Sequence, residues 1–453
     1  MSQTLLKNAY IITMNKQSEA YRSSHILIEN DRIKSIGDID DKLLQSDVEI
    51  IDCEGKIVMP GLINTHVHAT QQLGRGLADD VDLLTWLRKR TWPYESSLGE
   101  EEQYIAAIAC IIELIKSGVT SFAESGGFHV DAIGRAVEKM GVRCALARST
   151  MDMGEGLPEN WVESTDETLN IQKSAYNKWN NAANGRIKYW FAARTIFNVT
   201  EDLLLRTKQL ADEYDTGIHM HVAEIPEEMA FTKEKYGMTT VEYLNSIGLL
   251  DKNLLAAHTV WLTNNEVDLF LLHDVKASHN PAAAMRVLGF AKIPEMLQKG
   301  ITVSIGTDGA PCNNRMDMID EMNLTALIHK GRTLDPTVVP AEKVLEMATI
   351  NGAKTILQED EIGSLEVGKK ADLIIINPKS IGSLPTHDPV SNIVYASHSS
   401  NVESSMCDGV WIMKNRQVMM EDESSILNLA EEMAAGIRKK AGIELPSRFT
   451  MID

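Results

Sequence analysis

Ile57-Val-Met-Pro-Gly-Leu-Ile-Asn-Thr-His66-Val-His68 is the stretch at which the grammar of this 453-residue chain changes. Before it, short β-branched segments such as His25-Ile-Leu-Ile-Glu29 and Val48-Glu-Ile-Ile-Asp52 stand between turn pairs, Asn30-Asp31 and Glu54-Gly55. After it, apolar strand-like runs alternate with amphipathic stretches. The strand candidates are 57–68, 120–125, 142–150, 186–194, 217–224, 254–260, 275–280 and 301–308. Helical patterns lie between them. In 101–117, Tyr104, Ile108, Ile111, Ile112 and Ile115 share one face; 201–214 is similar. Apolar strands separated by helices mean a parallel sheet covered on its faces. Eight such units imply a (β/α)8 TIM barrel.

The end of the chain returns to strands, at Ala371-Asp-Leu-Ile-Ile-Ile-Asn377 and Gly409-Val-Trp-Ile-Met-Lys414, after helices predicted over 316–330 and 340–357. Neither β-rich end is large enough to bury its own face. The expected organisation is α/β: residues 1–58 and 366–453, with a terminal helix, build one small composite β-sandwich, and 59–365 form the barrel.

Acidic residues outnumber basic ones by 64 to 44, and the net charge of −20 argues against a polyanionic partner such as nucleic acid. No apolar run approaches the roughly 18–20 residues of a membrane span. The opening residues lack a signal-peptide pattern. Cys53, Cys110, Cys144, Cys312 and Cys407 are scattered and form no CxxC pair. Neither a disulfide framework nor a thiolate zinc site is indicated, and the cytoplasm is the expected compartment.

In a barrel, chemistry gathers where the strands end. Strand 1 ends in His66-Val-His68. Strand 5 holds His219-Met-His221 and reaches Glu224. Strands 6, 7 and 8 end at His258, His279 and Asp308. Alternate residues share a face, so His66 and His68 point the same way. Two imidazoles from strand 1, a third from strand 5 and a carboxylate from strand 8 can converge on one divalent cation. Such a donor set suits zinc, or ferrous iron as the second choice. His219 shares a face with His221, and spacing alone does not choose between them; the HxxE pattern and the strand end favour His221. His25, His129, His273, His329, His387 and His398 lack such context and are read as surface or core residues. His279 is placed near the site by topology, with no role that spacing assigns.

These residues resemble the amidohydrolase superfamily. The resemblance is carried by Pro60-Gly-Leu-Ile-Asn-Thr-His-Val-His68, His221-Val-Ala-Glu224, Ala257-His258, Gly306-Thr-Asp-Gly-Ala310, Met347-Ala-Thr-Ile-Asn-Gly-Ala-Lys354 and Ile362-Gly-Ser-Leu-Glu-Val-Gly-Lys-Lys-Ala-Asp-Leu373. Within it, the chain is similar to the branch of methylthioadenosine/S-adenosylhomocysteine deaminases, 5′-deoxyadenosine deaminases and triazine hydrolases. The resemblance implies a metal at His66, His68, His221 and Asp308, and a homo-oligomer, dimer or tetramer. Binuclear relatives bridge two metals with a modified lysine at the end of strand 4. Here that end is Arg194, with Lys188 near the strand's start, so one metal is expected.

The expected reaction is hydrolytic deamination of an N-heterocycle, by hydroxide generated at the metal and with release of ammonia. Asp308 would take the water's proton, His258 orient the nucleophile, and protonated Glu224 donate to a ring nitrogen. On the substrate side, the resemblance places Glu95 against a ribose diol, and Arg148 at a polar tail. Arg194 stands where many relatives have His. Trp92, with Trp86, is a candidate wall for a flat ring. A second family arginine is missing after Arg148, and Asn280-Pro-Ala-Ala-Ala-Met-Arg-Val-Leu-Gly289 departs from the family's usual Pro-Ser-Asn pattern. Cys312 shows no base partner in sequence and reads as packing. The favoured substrate is an adenosine derivative. The alternative is a triazine, pterin or guanine-type amino- or chlorohydrolase. A silent scaffold is disfavoured because the six metal and acid–base residues are all present.

Overall fold

The computed structural model describes residues 2–450 and 452. The chain builds a parallel barrel and one β-rich unit made from both termini. That unit is a single nine-stranded sheet. Its path runs Gln417–Val418, Val410–Lys414, Val402–Cys407, Leu373–Ile376, Ile57–Pro60, Gln3–Ile12, Ala20–Glu29 and Arg32–Gly37, with Glu49–Asp52 beside Gln3–Ile12. The two termini meet where Leu373–Ile376 runs antiparallel to Ile57–Pro60. Ile33 from one end of the sheet and Met406 from near the other share an apolar core with Leu6, Ile26, Val58 and Leu373. The expected sandwich is thus one sheet closing over its own core.

The four-residue run Leu373-Ile-Ile-Ile376 shows why the join is stable. Leu373 and Ile375 face the sheet's own core, whereas Ile374 and Ile376 face the barrel's core. A strand buried on both faces reads as a continuous apolar run.

The same effect concealed a turn. The sequence presents 57–68 as one strand, but the structure divides it at Gly61. Ile57–Pro60 belongs to the terminal sheet and Leu62–Val67 to the barrel. A Cβ at Gly61 would lie 2.1 Å from Thr120 Oγ1, so only glycine allows the approach.

The barrel strands are Leu62–Val67, Val119–Glu124, Arg143–Leu146, a fourth in two halves, Ile218–Val222, Leu254–His258, Lys276–His279 and Val303–Ile305. All neighbours are parallel. The halves of the fourth, Ile187–Tyr189 and Phe191–Ala193, pair with the third and fifth strands respectively. A parallel bridge between Val67 and Asp308 joins the first strand to the segment leaving the eighth. The predicted 340–357 helix is two, Ala341–Ala348 and Ile350–Thr355, broken at Thr349.

At the barrel's base, Arg143 makes a forked pair with Asp372 at 3.0 and 3.1 Å and reaches Asp408 at 3.0 Å. Among the described residues, no helix is long and apolar enough to cross a membrane.

Candidate active site

The strands' C-terminal ends aim a set of buried polar side chains at one point. His66 Nε2 and His68 Nε2 lie 3.5 and 3.6 Å from Asp308 Oδ1. His68 Nε2 is 3.2 Å from His221 Nε2. Two triads of donor atoms, His66–His68–Asp308 and His66–His221–His258, share His66. His66 Nε2 is fully buried and has no hydrogen-bond partner. A buried polar atom without a partner is costly, and its position at this convergence of donor atoms fits a cation-binding site. Asp308 and His258 hold left-handed backbones, at φ 63° and 73°. For non-glycine residues such strain clusters where side chains must be aimed.

The far nitrogens of the imidazoles are held from behind. His221 Nδ1–H donates to the Arg194 carbonyl at 2.9 Å, leaving Nε2 as the free donor atom. His66 Nδ1 lies 2.9 Å from His219 Nε2, and Ser125 Oγ lies beside the His68 ring, 2.7 Å from Nδ1 and 3.0 Å from Nε2. His219 therefore sits one layer below the mouth as a support for His66, while His221 reaches the cluster. Burial pushes the pKa values of His66, His68 and His221 down, which favours neutral, ligating imidazoles. Burial alone would raise the Asp308 carboxyl. The neighbouring imidazoles of His66, His258 and His68 hold it well below the carboxylate range.

Glu224 Oε1 is 3.7 Å from His258 Nε2, which is 3.9 Å from Asp308 Oδ2. Burial pushes the Glu224 carboxyl above its ordinary value, against His258 and reinforced by Asp308. Its backbone is fixed by Glu228, whose carboxylate accepts from the Ala223 and Glu224 N–H groups at 2.8 and 2.9 Å. Asn280 Nδ2 lies 3.1 Å from His258 Nδ1.

Glu95 is buried beside these groups. Gln71 Nε2 donates to its Oε1 at 2.9 Å, Arg194 Nη2 is 3.6 Å from its Oε2, and Oε2 has no hydrogen-bond partner.

Other expected substrate residues are engaged elsewhere. Arg148 is clamped by Glu163 at 2.5 and 2.9 Å and also reaches Thr168. Trp92 packs with Met151 and Trp161 in an apolar cluster. His279 is a correction: its Nε2 lies 3.1 Å from His329 Nε2, on the helix Met318–Thr333. Strand alternation is the reason. Ser278 and Asn280 face inward, towards Thr65 and His258, so His279 faces out.

Lys188 sits at the far end of the fourth strand, bonded to Asn181. The Cys312 thiol donates to the Gly309 carbonyl, and burial pushes its pKa well up, so it is no thiolate nucleophile. The unusual 282–286 segment is fastened by Arg286, which bonds the Cys312 carbonyl at 3.0 Å and the Asp79 carboxylate.

Gln71, Ser125, Glu228 and Asn280 are residues around the site to which sequence reasoning gave no role, and among them only Glu228 left a local signal, a carboxylate in the first turn of the helix Pro226–Tyr236.

The chain is similar to known proteins over nearly its whole length. The Amidohydrolase family model matches residues 57–412. A 5′-deoxyadenosine deaminase of Methanobrevibacter smithii is 39% identical over 431 residues, spanning 94% of this chain and 96% of that protein. A 5-methylthioadenosine/S-adenosylhomocysteine deaminase of Syntrophomonas wolfei is 38% identical over 433 residues, 95% of this chain and 98% of that one. The crystal structure of an adenosine deaminase from Xanthomonas campestris with bound zinc superposes with a TM-score of 0.92 at 26% identity, covering 97% of this chain and 99% of that one.

Proposed function

This chain belongs to the amidohydrolase family and is a hydrolase of carbon–nitrogen bonds, and on that premise we propose that it deaminates an adenosine derivative lacking a free 5′-hydroxyl. 5′-Deoxyadenosine, methylthioadenosine and S-adenosylhomocysteine are the candidates. The observation that carries this reading is the convergence of His66, His68, His221 and Asp308 beside a protonatable Glu224. Those four residues would hold one divalent cation, zinc first and iron second. Arg194 at the mouth end of the fourth strand, where a bridging lysine would be needed, supports one ion rather than two. When bound, the cation supplies Lewis acidity that brings the pKa of water towards neutrality.

The protein's own groups do the rest. Asp308 Oδ2 accepts the proton of the attacking water. His258 orients that water; with Asn280 Nδ2 donating to its Nδ1, its ring proton is on Nε2, facing Glu224 and Asp308. Glu224, protonated, donates to the ring nitrogen next to the amino-bearing carbon and makes that carbon electrophilic. The new C–O bond forms there. The C–N bond then breaks as Asp308 returns its proton to the amino group, and ammonia leaves. The hydroxyl proton passes back to Glu224, leaving a 6-oxo ring protonated on nitrogen.

Glu95 Oε2, unpartnered and buried, supports recognition of a ribose hydroxyl. Arg148, committed to Glu163, favours short, uncharged 5′ substituents over a charged tail. We place the reaction in the cytoplasm, which the five free cysteines support.

Ammonia release from the three nucleosides, run beside melamine, a chlorotriazine, guanine and isoxanthopterin, tests the reading. Turnover of a nucleoside with conversion of the 6-amino to the 6-oxo chromophore is expected. Turnover of the non-nucleosides alone would replace this function with the triazine, pterin or guanine one.

A further inference from the structure

Gln71 stands three residues past His68, in the short helix Ala69–Gly74 that leaves the first barrel strand. It is 1% exposed. Its Nε2 donates to Glu95 Oε1 at 2.9 Å. A carboxylate only accepts, so the amide nitrogen must be the atom facing Glu95, and the orientation of the amide is fixed. Gln71 Oε1 is therefore the amide atom that Glu95 does not engage, and it has no hydrogen-bond partner. It lies against Gly309, next to Asp308: a Cβ there would come within 2.0 Å of it. The helix carrying Glu95 is tied to the same turn, because the Tyr94 hydroxyl donates to the Thr70 carbonyl at 3.2 Å.

Two buried acceptors on one hydrogen-bonded pair thus make no hydrogen bond, Gln71 Oε1 and Glu95 Oε2, the latter with the Arg194 guanidinium 3.6 Å away. Leaving either unpaired costs free energy, and a vicinal diol offers two O–H donors. We propose that Gln71 is a substrate-binding residue, and that the ribose diol is gripped by Glu95 Oε2 and Gln71 Oε1 together, one hydroxyl each. This rests on the nucleoside reading above and deepens it. Gln71 Nε2 meanwhile fixes the Glu95 carboxylate, so the pair acts as one preformed clamp.

The test is a cycle of variants against substrates. 5′-Deoxyadenosine, 2′,5′-dideoxyadenosine and 3′,5′-dideoxyadenosine are assayed with wild type, Gln71→Met and Glu95→Ala, with metal content and melting temperature measured alongside. For 5′-deoxyadenosine, Gln71→Met is expected to lower kcat/KM roughly tenfold, the scale of one lost hydrogen bond with its acceptor. For the dideoxy substrate that lacks the hydroxyl held by Gln71 Oε1, Gln71→Met is expected to cost several-fold less than for 5′-deoxyadenosine, and for the other dideoxy substrate the same holds of Glu95→Ala.

Gly309→Ala is the second variant. Its φ of −94° suits alanine, and the added methyl would meet Gln71 Oε1 at 2.0 Å and His68 Cβ at 3.2 Å, so its metal content is measured with its kinetics. It should reproduce the selective loss of Gln71→Met. An equal loss on all three substrates, or both hydroxyls coupling to Glu95 alone, overturns the shared clamp while leaving the nucleoside reading intact. A wild type that turns over no ribonucleoside overturns both.

Discussion

Two groups of buried polar side chains sit at opposite ends of the same barrel, and they differ in how completely they are satisfied. At the base, Arg143, Asp372 and Asp408 close on one another. Asp372 also accepts from the Asp408 N–H at 2.7 Å, and Lys370 reaches Asp408 at 3.1 Å. None of the three carries a buried side-chain atom without a partner. At the mouth, His66 Nε2, Glu95 Oε2 and Gln71 Oε1 are all buried and unpartnered. The base holds the terminal sheet to the barrel and is complete without any ligand. The base pairs its charges with one another, whereas the mouth leaves polar atoms without hydrogen bonds around the convergence of His66, His68 and Asp308.

Substitutions should separate the two ends. The largest effect on turnover is expected from Glu224→Gln, which keeps size and polarity but cannot cycle a proton. General acid–base groups contribute roughly 10²–10⁴-fold. With substrate-saturated assays, kcat should fall by at least the lower figure while metal content and melting temperature hold. Near wild-type kcat would remove Glu224 from the mechanism and break the comparison at the mouth.

Arg143→Met should do the reverse. It leaves buried Asp372 without its cation while Asp408 keeps Lys370, a change worth about 3–5 kcal/mol. Chemical denaturation should show that loss, and kcat measured well below the melting temperature should stay close to wild type. A large fall in kcat at intact stability would mean that the base takes part in function.

The smallest effect is expected from Arg148→Met. Because Glu163 already holds the guanidinium, the ratio of kcat/KM for S-adenosylhomocysteine to that for methylthioadenosine should not change. A selective loss on the former would show that the clamp opens for a charged tail.

The mouth was far more legible in sequence than the base or the site's supports. His66, His68, His221, His258 and Asp308 sit at strand ends, so counting β/α units brought them together, and only the choice of His221 over His219 needed the family resemblance. Glu224 followed from its spacing to His221. The Arg143–Asp372 pair spans 229 residues and leaves no local trace. His219 behind His66 and Gln71 against Glu95 are likewise tertiary contacts between segments that propensity treats separately. The turn at Gly61 was hidden because residues on both sides of it are buried. His279 was within reach of sequence. Strand parity places Ser278 and Asn280 inward, and the same rule that paired His66 with His68 sends His279 out towards His329.

Every step at the mouth depends on His66, His68, His221 and Asp308 forming one cation site. The most direct measurement is therefore elemental analysis of purified protein after extensive dialysis, run beside His66→Ala. The structure predicts about one equivalent of zinc or iron per chain, lost in the variant together with activity. Two retained equivalents, or undiminished binding in His66→Ala, would contradict it.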